Sequence, residues 1–321
     1  MLIPMTSSLH IDPALFDPTA IPAETRALNT EIVARLNAEP TGLSIPEIRA
    51  RRIQGLGAFP APVRSKRAET IAIDGPAGPM ELRVIAAKKP RATYFHIHGG
   101  GWSIGAPDQN DPLLESLADG AGLACVSVKY RLAPENKYPA GPDDCEAAAL
   151  WIVHEGVKRF GTAKLAIGGE SAGGHLSAVT LLRLRDRHDL TPFSVALMNY
   201  GCFDMGMTPS ARQWGAEKLV LNTAAIKAFA ASFLPEGSDM SDPDISPLYA
   251  DLHGLPPALF SVGTRDALMD DSLFMAPRWL AAGNAAELAL YPGACHGFLS
   301  VPFRQRDDAL ARMVKFLGQY L

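Results

Sequence analysis

The chain has 321 residues, enough for one large domain or two modest ones. With 47% apolar and 20% charged residues it lies far from disordered, collagenous or coiled-coil compositions. Its 30 basic residues against 34 acidic ones leave a formal charge of −4, so no global positive field favours nucleic acid or an anionic membrane as partner. The N-terminal stretch MLIPMTSSLHIDPALF has no basic residue and is interrupted by Pro4 and Asp12, unlike a secretory signal. No apolar run approaches the length of a membrane helix. Cys125, Cys145, Cys202 and Cys295 form neither a disulfide framework nor a zinc pattern. A soluble cytoplasmic protein is expected.

From about residue 20 to 55 helix-like stretches alternate with prolines, and Ser44 with Glu47 reads as a capping box opening a helix. Short β-rich runs follow: ETIAID and MELRVIAAK predict a hairpin whose turn is GPAGP. Beyond it, continuous apolar strands alternate with longer helices: TYFHIH, a helix over 111–121, ACVSVKY, a helix over 142–159, LAIGG, a helix over 172–187 and FSVALMNY. After residue 246 the rhythm resumes with ALFSVG, a helix over 271–282, AELALYP and a helix over 305–320. Strands without alternation, separated by helices, predict a mostly parallel sheet covered on both faces, an α/β fold. Between residues 203 and 246 helical pieces occur without a strand, which reads as a lid inserted into the core.

The strand LAIGG runs into Gly169-Glu170-Ser171-Ala172-Gly173-Gly174 and then a helix. A GxSxG between strand and helix forces its serine into a strained turn, and the close neighbours leave room only for glycine. Upstream, TYFHIH ends in His98-Gly99-Gly100-Gly101-Trp102, whose glycines allow backbone N–H groups to converge on an anion at the carboxyl edge of the sheet. An acid and a histidine should follow the serine in that order. Asp266 lies just past ALFSVG, and His296 just past AELALYP. Asp270 and Asp271 compete with Asp266, but they fall at the start of a helix, where carboxylates cap. The other histidines have quieter roles: His98 orients the glycine loop, and His175 rides the helix after Ser171.

These residues match a known family. The chain resembles the hormone-sensitive lipase-like (bacterial family IV) carboxylesterases of the α/β-hydrolase fold. The matching motifs are HGGGW at 98–102, YRLAPENKYPAGPDDC at 130–145, GESAGG at 169–174, DISPLYADLHGLPPALFSVGTRDALMDDS at 244–272 and HGF at 296–298. The resemblance implies an eight-stranded, mostly parallel sheet flanked by helices, with a helical cap. It implies a triad of Ser171, Asp266 and His296, and an oxyanion hole made by the N–H groups of Gly100, Gly101 and Ala172, with Gly99 shaping the loop. It also divides the chain into cap helices (1–65), a catalytic core (66–202 and 247–321) and a cap insertion (203–246). The sequence departs from the commonest pattern at Glu170, where Asp is frequent, and at Asn136-Lys137-Tyr138; neither change removes a reacting group. Arg131, Glu135 and Asp143 are read as structural supports of the loop beside the oxyanion glycines.

The expected activity is hydrolysis of short- to medium-chain carboxylic esters through an acyl-enzyme on Ser171, with no metal or organic cofactor. Lactone or amide hydrolysis uses the same triad, and a small-molecule receptor would use the same cavity after losing it. An apolar pocket is expected from Trp102, Met205, Met207, Trp214, Phe298 and Leu299, with Phe229 and Phe233 as further candidates. The expected partner is a small-molecule ester, with no nucleic acid and no membrane. The clusters Arg49-Arg51-Arg52, Arg64-Lys66-Arg67 and Arg183-Arg185-Arg187 read as solvated faces. AELALYP, as an edge strand, offers pairing across a two-fold axis and hence a homodimer.

Overall fold

The computed structural model describes residues 9–321; the first eight residues of the expected cap segment lie outside it. Helices α1 (Ala23–Asn37) and α2 (Ile45–Ile53) precede the hairpin β1 (Glu69–Gly75) and β2 (Gly78–Ala86). The core continues through β3 (Ala92–Ile97), α3 (Asp111–Ala121), β4 (Leu123–Val128), α4 (Ala140–Trp151), α5 (Val157–Phe160), β5 (Lys164–Glu170), α6 (Ala172–His188) and β6 (Phe193–Asn199). The short α7 (Pro209–Gln213) and α8 (Thr223–Phe233) interrupt it before β7 (Ala258–Arg265), α9 (Met269–Ala281), β8 (Ala286–Cys295) and α10 (Arg304–Tyr320). Ser44 and Glu47 form the expected capping box of α2. The stretch expected as one helix over 142–159 is helical but passes through a π-helical segment at Ile152–Gly156.

The eight strands form one sheet in the order β1-β2-β4-β3-β5-β6-β7-β8. Pairings β1–β2 and β2–β4 are antiparallel, and all the others are parallel. Every residue of β3 and β4 is buried, because helices cover both faces. Alternation survives inside these uniformly buried runs: Phe95 and Ile97 face the core shared with α4, α6 and α9, whereas Ala92 and Tyr94 face the core shared with α3 and α10. A third, small cluster joins Ile32 and Leu36 of α1 to Leu219 and to Cys295, so the N-terminal helices and the 203–246 insertion pack on one another above the end of β8. Thr25 Oγ1 donates to Gln305 Oε1 at 2.7 Å and Asn29 Nδ2 to the Gly293 carbonyl at 2.8 Å. The start of α1 therefore packs against β8, the strand that the sequence places at the sheet edge. No helix among the described residues is long and apolar enough to cross a membrane.

Candidate active site

Parallel strands carry their loops to one edge, so residues distant in sequence converge there. Ser171 follows β5 directly and has φ 56° and ψ −119°, a conformation costly for any side chain. Two glycines make the turn possible. A Cβ on Gly173 or on Gly169 would overlap the carbonyl oxygen of Ile97, so α6 lies against β3 only because both positions lack one. The Ser171 N–H donates to the Asn199 carbonyl at 2.9 Å, which pins the turn to β6.

His296 follows β8, and its Nε2 stands 2.8 Å from Ser171 Oγ. Its Nδ1 lies 3.0 and 2.9 Å from the two oxygens of Asp266, which follows β7. A carboxylate only accepts, so Nδ1 carries the proton and Nε2 is left to accept from the serine hydroxyl. Asp266 is 1% exposed, and its Oδ1 also accepts the Leu268 N–H at 2.8 Å, which fixes the carboxylate. The Tyr200 ring packs against the imidazole in an edge-type arrangement, with ring centroids 5.1 Å apart. Asp270 and Asp271 do not reach His296 and do not cap α9 as expected. Instead Asp270 accepts the Ser210 N–H, while Asp271 accepts the N–H groups of Phe203 and Asp204 and the Thr208 hydroxyl. They tie the start of the 203–246 insertion to the core.

Gly100 has φ 112° and Gly101 φ 55°, so the loop after β3 turns through a region that favours glycine. Neither N–H has an acceptor among the described residues. The Ala172 N–H is the first of α6, where a helix leaves its donors free and its dipole favours negative charge. His98 Nδ1 contacts the Gly99 carbonyl at 2.9 Å, and its ring stacks on Tyr130, whose hydroxyl donates to the His98 carbonyl. Of the residues read as loop supports, Arg131 pairs with Asp144, Glu135 with Arg49 of α2, and Asp143 with Arg183.

Arg183, read from the sequence as part of a solvated face, is 3% exposed. Its guanidinium grips both oxygens of Asp244 and also meets Asp143 and Glu146. Burial works against its charge, but the hydrogen bonds and charges of these carboxylates outweigh it and hold the group above its ordinary value. The pairing joins α6, whose first residue follows Ser171, to the end of the insertion.

Trp102 Nε1–H donates to His175 Nδ1 at 3.1 Å, and His175 Nε2–H donates to the Ile245 carbonyl at 2.9 Å. This requires a neutral imidazole. Burial pushes His175 down to about 4 and His98 down to about 3, from an ordinary 6.5. The folded protein thus refuses protons that the unfolded chain takes up. Stability from these groups is complete above about pH 6.5 and is lost as the pH falls toward 4, by roughly 1.4 kcal/mol per pH unit for each histidine. Asp271, which burial pushes up to about 7, acts in the opposite sense over about pH 4 to 7, because the folded state keeps a proton that the unfolded chain releases. A difference measurement separates them. Thermal unfolding of His175→Gln and wild type should show a stability gap that narrows steadily as the pH falls from 6.5 to 4.5; a constant gap would mean that His175 does not set the acid sensitivity.

Two cavities meet at Ser171. The larger, about 310 Å³, is lined by His296, Tyr200 and the glycine loop below, and by Ile48 and Arg52 of α2 and Phe229 of α8 above. The smaller, about 30 Å³, is apolar and is lined by Trp102, Cys202, Leu221, Ile226, Phe229 and Leu268 beside Gly101 and Ser171. The expected pocket residues are thus mostly displaced. Met205 and Phe298 are buried in the two sheet cores, Met207 and Trp214 pack against the first core from its flank, and Leu299 lines a neighbouring hollow. Of that set only Trp102 meets a cavity containing Ser171; Phe229 does so too, while Phe233 stacks on Trp102 at 4.8 Å. Apolar side chains beside strand ends found burial against the sheet, and the pocket wall came from α2, residues 56–59 and α8. Missed altogether were Arg52, Phe59, Asn110 and Tyr200. A signal existed for Arg52, since Ile48 and Arg52 stand four apart and share one face of α2.

A family profile described as alpha/beta hydrolase fold matches residues 94–300. The chain is 37% identical over 223 residues to carboxylesterase NlhH of Mycobacterium tuberculosis, covering 68% of this chain and 69% of that protein. Among solved structures it is similar to a hyperthermophilic esterase from the archaeon Pyrobaculum calidifontis, with a TM-score of 0.82, 26% identity, and 93% and 98% of the two chains covered. An esterase from the bacterial hormone-sensitive lipase family gives a TM-score of 0.79 at 28% identity, covering 93% of this chain and 98% of that one.

Proposed function

Because the chain belongs to the hormone-sensitive lipase-like carboxylesterases of the α/β-hydrolase fold and is a carboxylic ester hydrolase, we propose that it cleaves short- to medium-chain esters through an acyl-enzyme on Ser171. The observation that carries this reading is the unbroken line from Asp266 through His296 to Ser171, with gaps of 2.9 and 2.8 Å, opening on a cavity. His296 takes the serine proton as Oγ attacks the ester carbonyl, and Asp266 holds the imidazole in the required tautomer and stabilises its charged form. The tetrahedral oxyanion is received by the free N–H groups of Gly100, Gly101 and Ala172, on a loop that Gly99 shapes. His296 then returns the proton to the departing alcohol. A water molecule activated by the same imidazole opens the acyl-enzyme, releasing the carboxylic acid and restoring Ser171.

On this reading residues 66–202 and 247–321 form the hydrolase core, and residues 1–65 with 203–246 form the cap. The packing of α1 on Leu219 and the shared lining of the larger cavity support that division. Four buried cysteines, none of them in a disulfide, fit a reducing, cytoplasmic setting. The combined cavities suit a small ester better than a long acyl chain. Turnover of 4-nitrophenyl esters should be highest among acetate, butanoate and hexanoate and should fall by at least about tenfold by palmitate. A rate that rises toward palmitate would sink the short- to medium-chain assignment.

A further inference from the structure

Helix α2 carries three arginines, and two of them are neutralised. Arg49 makes a bidentate pair with Glu135, and Arg51 another with Glu39. Arg52 differs. Its Nε donates to Gln109 Oε1, its guanidinium lies over the Phe59 ring at 5.4 Å from the centroid, and no carboxylate of the described residues pairs with it. The remaining N–H donors belong to a side chain that lines the same cavity as Ser171 and His296. Desolvation lowers the group to about 10, which leaves it charged at neutral pH. A partly desolvated, unpaired guanidinium stacked on an aromatic ring is a costly arrangement in an esterase pocket unless an anion completes it.

The other charges facing this cavity do not supply that anion. Glu39 and Arg51 cancel one another. Glu170 lies beside Ser171, where its Oε2 is held by His96 Nε2 at 2.8 Å and Asn110 Nδ2 at 2.6 Å, and its Oε1 is buried without a partner among the described residues.

The two cavities assign the parts of the ester. The leaving oxygen must lie within reach of His296 Nε2 to be protonated, so the alcohol occupies the larger cavity, which His296 lines. The smaller cavity lacks His296, and its roughly 30 Å³ holds about two water-sized atoms, enough for a short acyl group. Resting on the esterase reading above, we propose that Arg52 is a specificity-determining residue and that the preferred substrates are short-chain, acetyl-class esters of alcohols bearing a carboxylate. The guanidinium binds that carboxylate in the larger cavity while Ser171 attacks the acyl carbon. Hydrolysis consumes one water and yields the short carboxylic acid and the carboxylate-bearing alcohol.

The test compares 4-acetoxybenzoate with its neutral counterpart 4-acetoxybenzamide in wild type, Arg52→Met and Arg52→Lys, with thermal unfolding to verify each variant. The wild-type ratio of kcat/KM, acid over amide, should fall by about 10- to 100-fold in Arg52→Met, chiefly through KM for the acid, because a charge-assisted hydrogen bond is lost. Arg52→Lys keeps the charge without the fork and should retain part of the preference. An equal ratio in wild type and Arg52→Met overturns the proposal. Failure to cleave either ester while 4-nitrophenyl acetate is still turned over also overturns it. Failure on 4-nitrophenyl acetate as well would instead overturn the esterase reading of the site.

Discussion

Replacing Ser171 by Ala is expected to lower kcat for 4-nitrophenyl acetate by about a million-fold, the loss typical when a triad nucleophile is removed. The substitution deletes the hydroxyl that His296 Nε2 addresses at 2.8 Å, so no acyl-enzyme forms. The N–H donors of Gly100, Gly101 and Ala172 and the cavity remain, and a residual rate of about a thousand-fold or more over water should persist from them. Ser171 already occupies φ 56°, and alanine meets the same backbone cost. The variant should therefore unfold within a few degrees of wild type while its kinetics collapse. Steady-state kinetics with active-site titration decide the matter: retention of even a hundredth of wild-type kcat would remove Ser171 from the role of nucleophile.

Asp266→Asn is expected to cost about ten-thousand-fold in kcat, with little change in KM. Asparagine keeps the shape but presents an amide N–H₂ where His296 Nδ1 now meets two carboxylate oxygens. A donor there favours the tautomer with its proton on Nε2, facing Ser171, which cannot act as base. The neighbouring acids provide the contrast. Asp271→Asn retains a carbonyl oxygen for the Phe203 and Asp204 N–H groups and a nitrogen to meet Thr208, and Asp270→Asn can still accept from Ser210. Both should lower the unfolding temperature more than they lower kcat. If Asp271→Asn matched the loss in Asp266→Asn, the acid of the triad would have to be reassigned.

The strands and helices were legible along the chain because each side of the sheet imposes a local rule. Residues 92–97 and 123–128 are mostly apolar and buried throughout because both faces are covered, and Ser44 with Glu47 announces α2 through contacts three residues apart. The convergence of the three expected triad residues was legible for a related reason. A parallel sheet sends every strand end to the same edge, so locating Ser171, Asp266 and His296 just past strands was enough to bring them together.

The pocket obeys no such rule. Met205 and Phe298 are as apolar as Leu221 and Phe229, and nothing within a few residues of each distinguishes a side chain that fills the core from one that lines the cavity. The arginine clusters misled in the same way. Arg183 sits among leucines in α6 and became the centre of a buried ionic group only because Asp143, Glu146 and Asp244 come from elsewhere in the chain. Arg49, Arg51 and Arg52 share one short helix but face three different neighbours.

By itself, then, the sequence determined the α/β architecture, the strained turn at Ser171 and the placing of Asp266 and His296 just past strand ends, because backbone periodicity and glycine sterics act within one element. Only the tertiary structure decided which faces of α2 and α8 close over Ser171, which carboxylates neutralise which arginines, and that Arg52 lines the cavity containing Ser171. Those outcomes depend on how elements separated by a hundred residues or more pack together, as Arg52 and Ser171 do across the larger cavity.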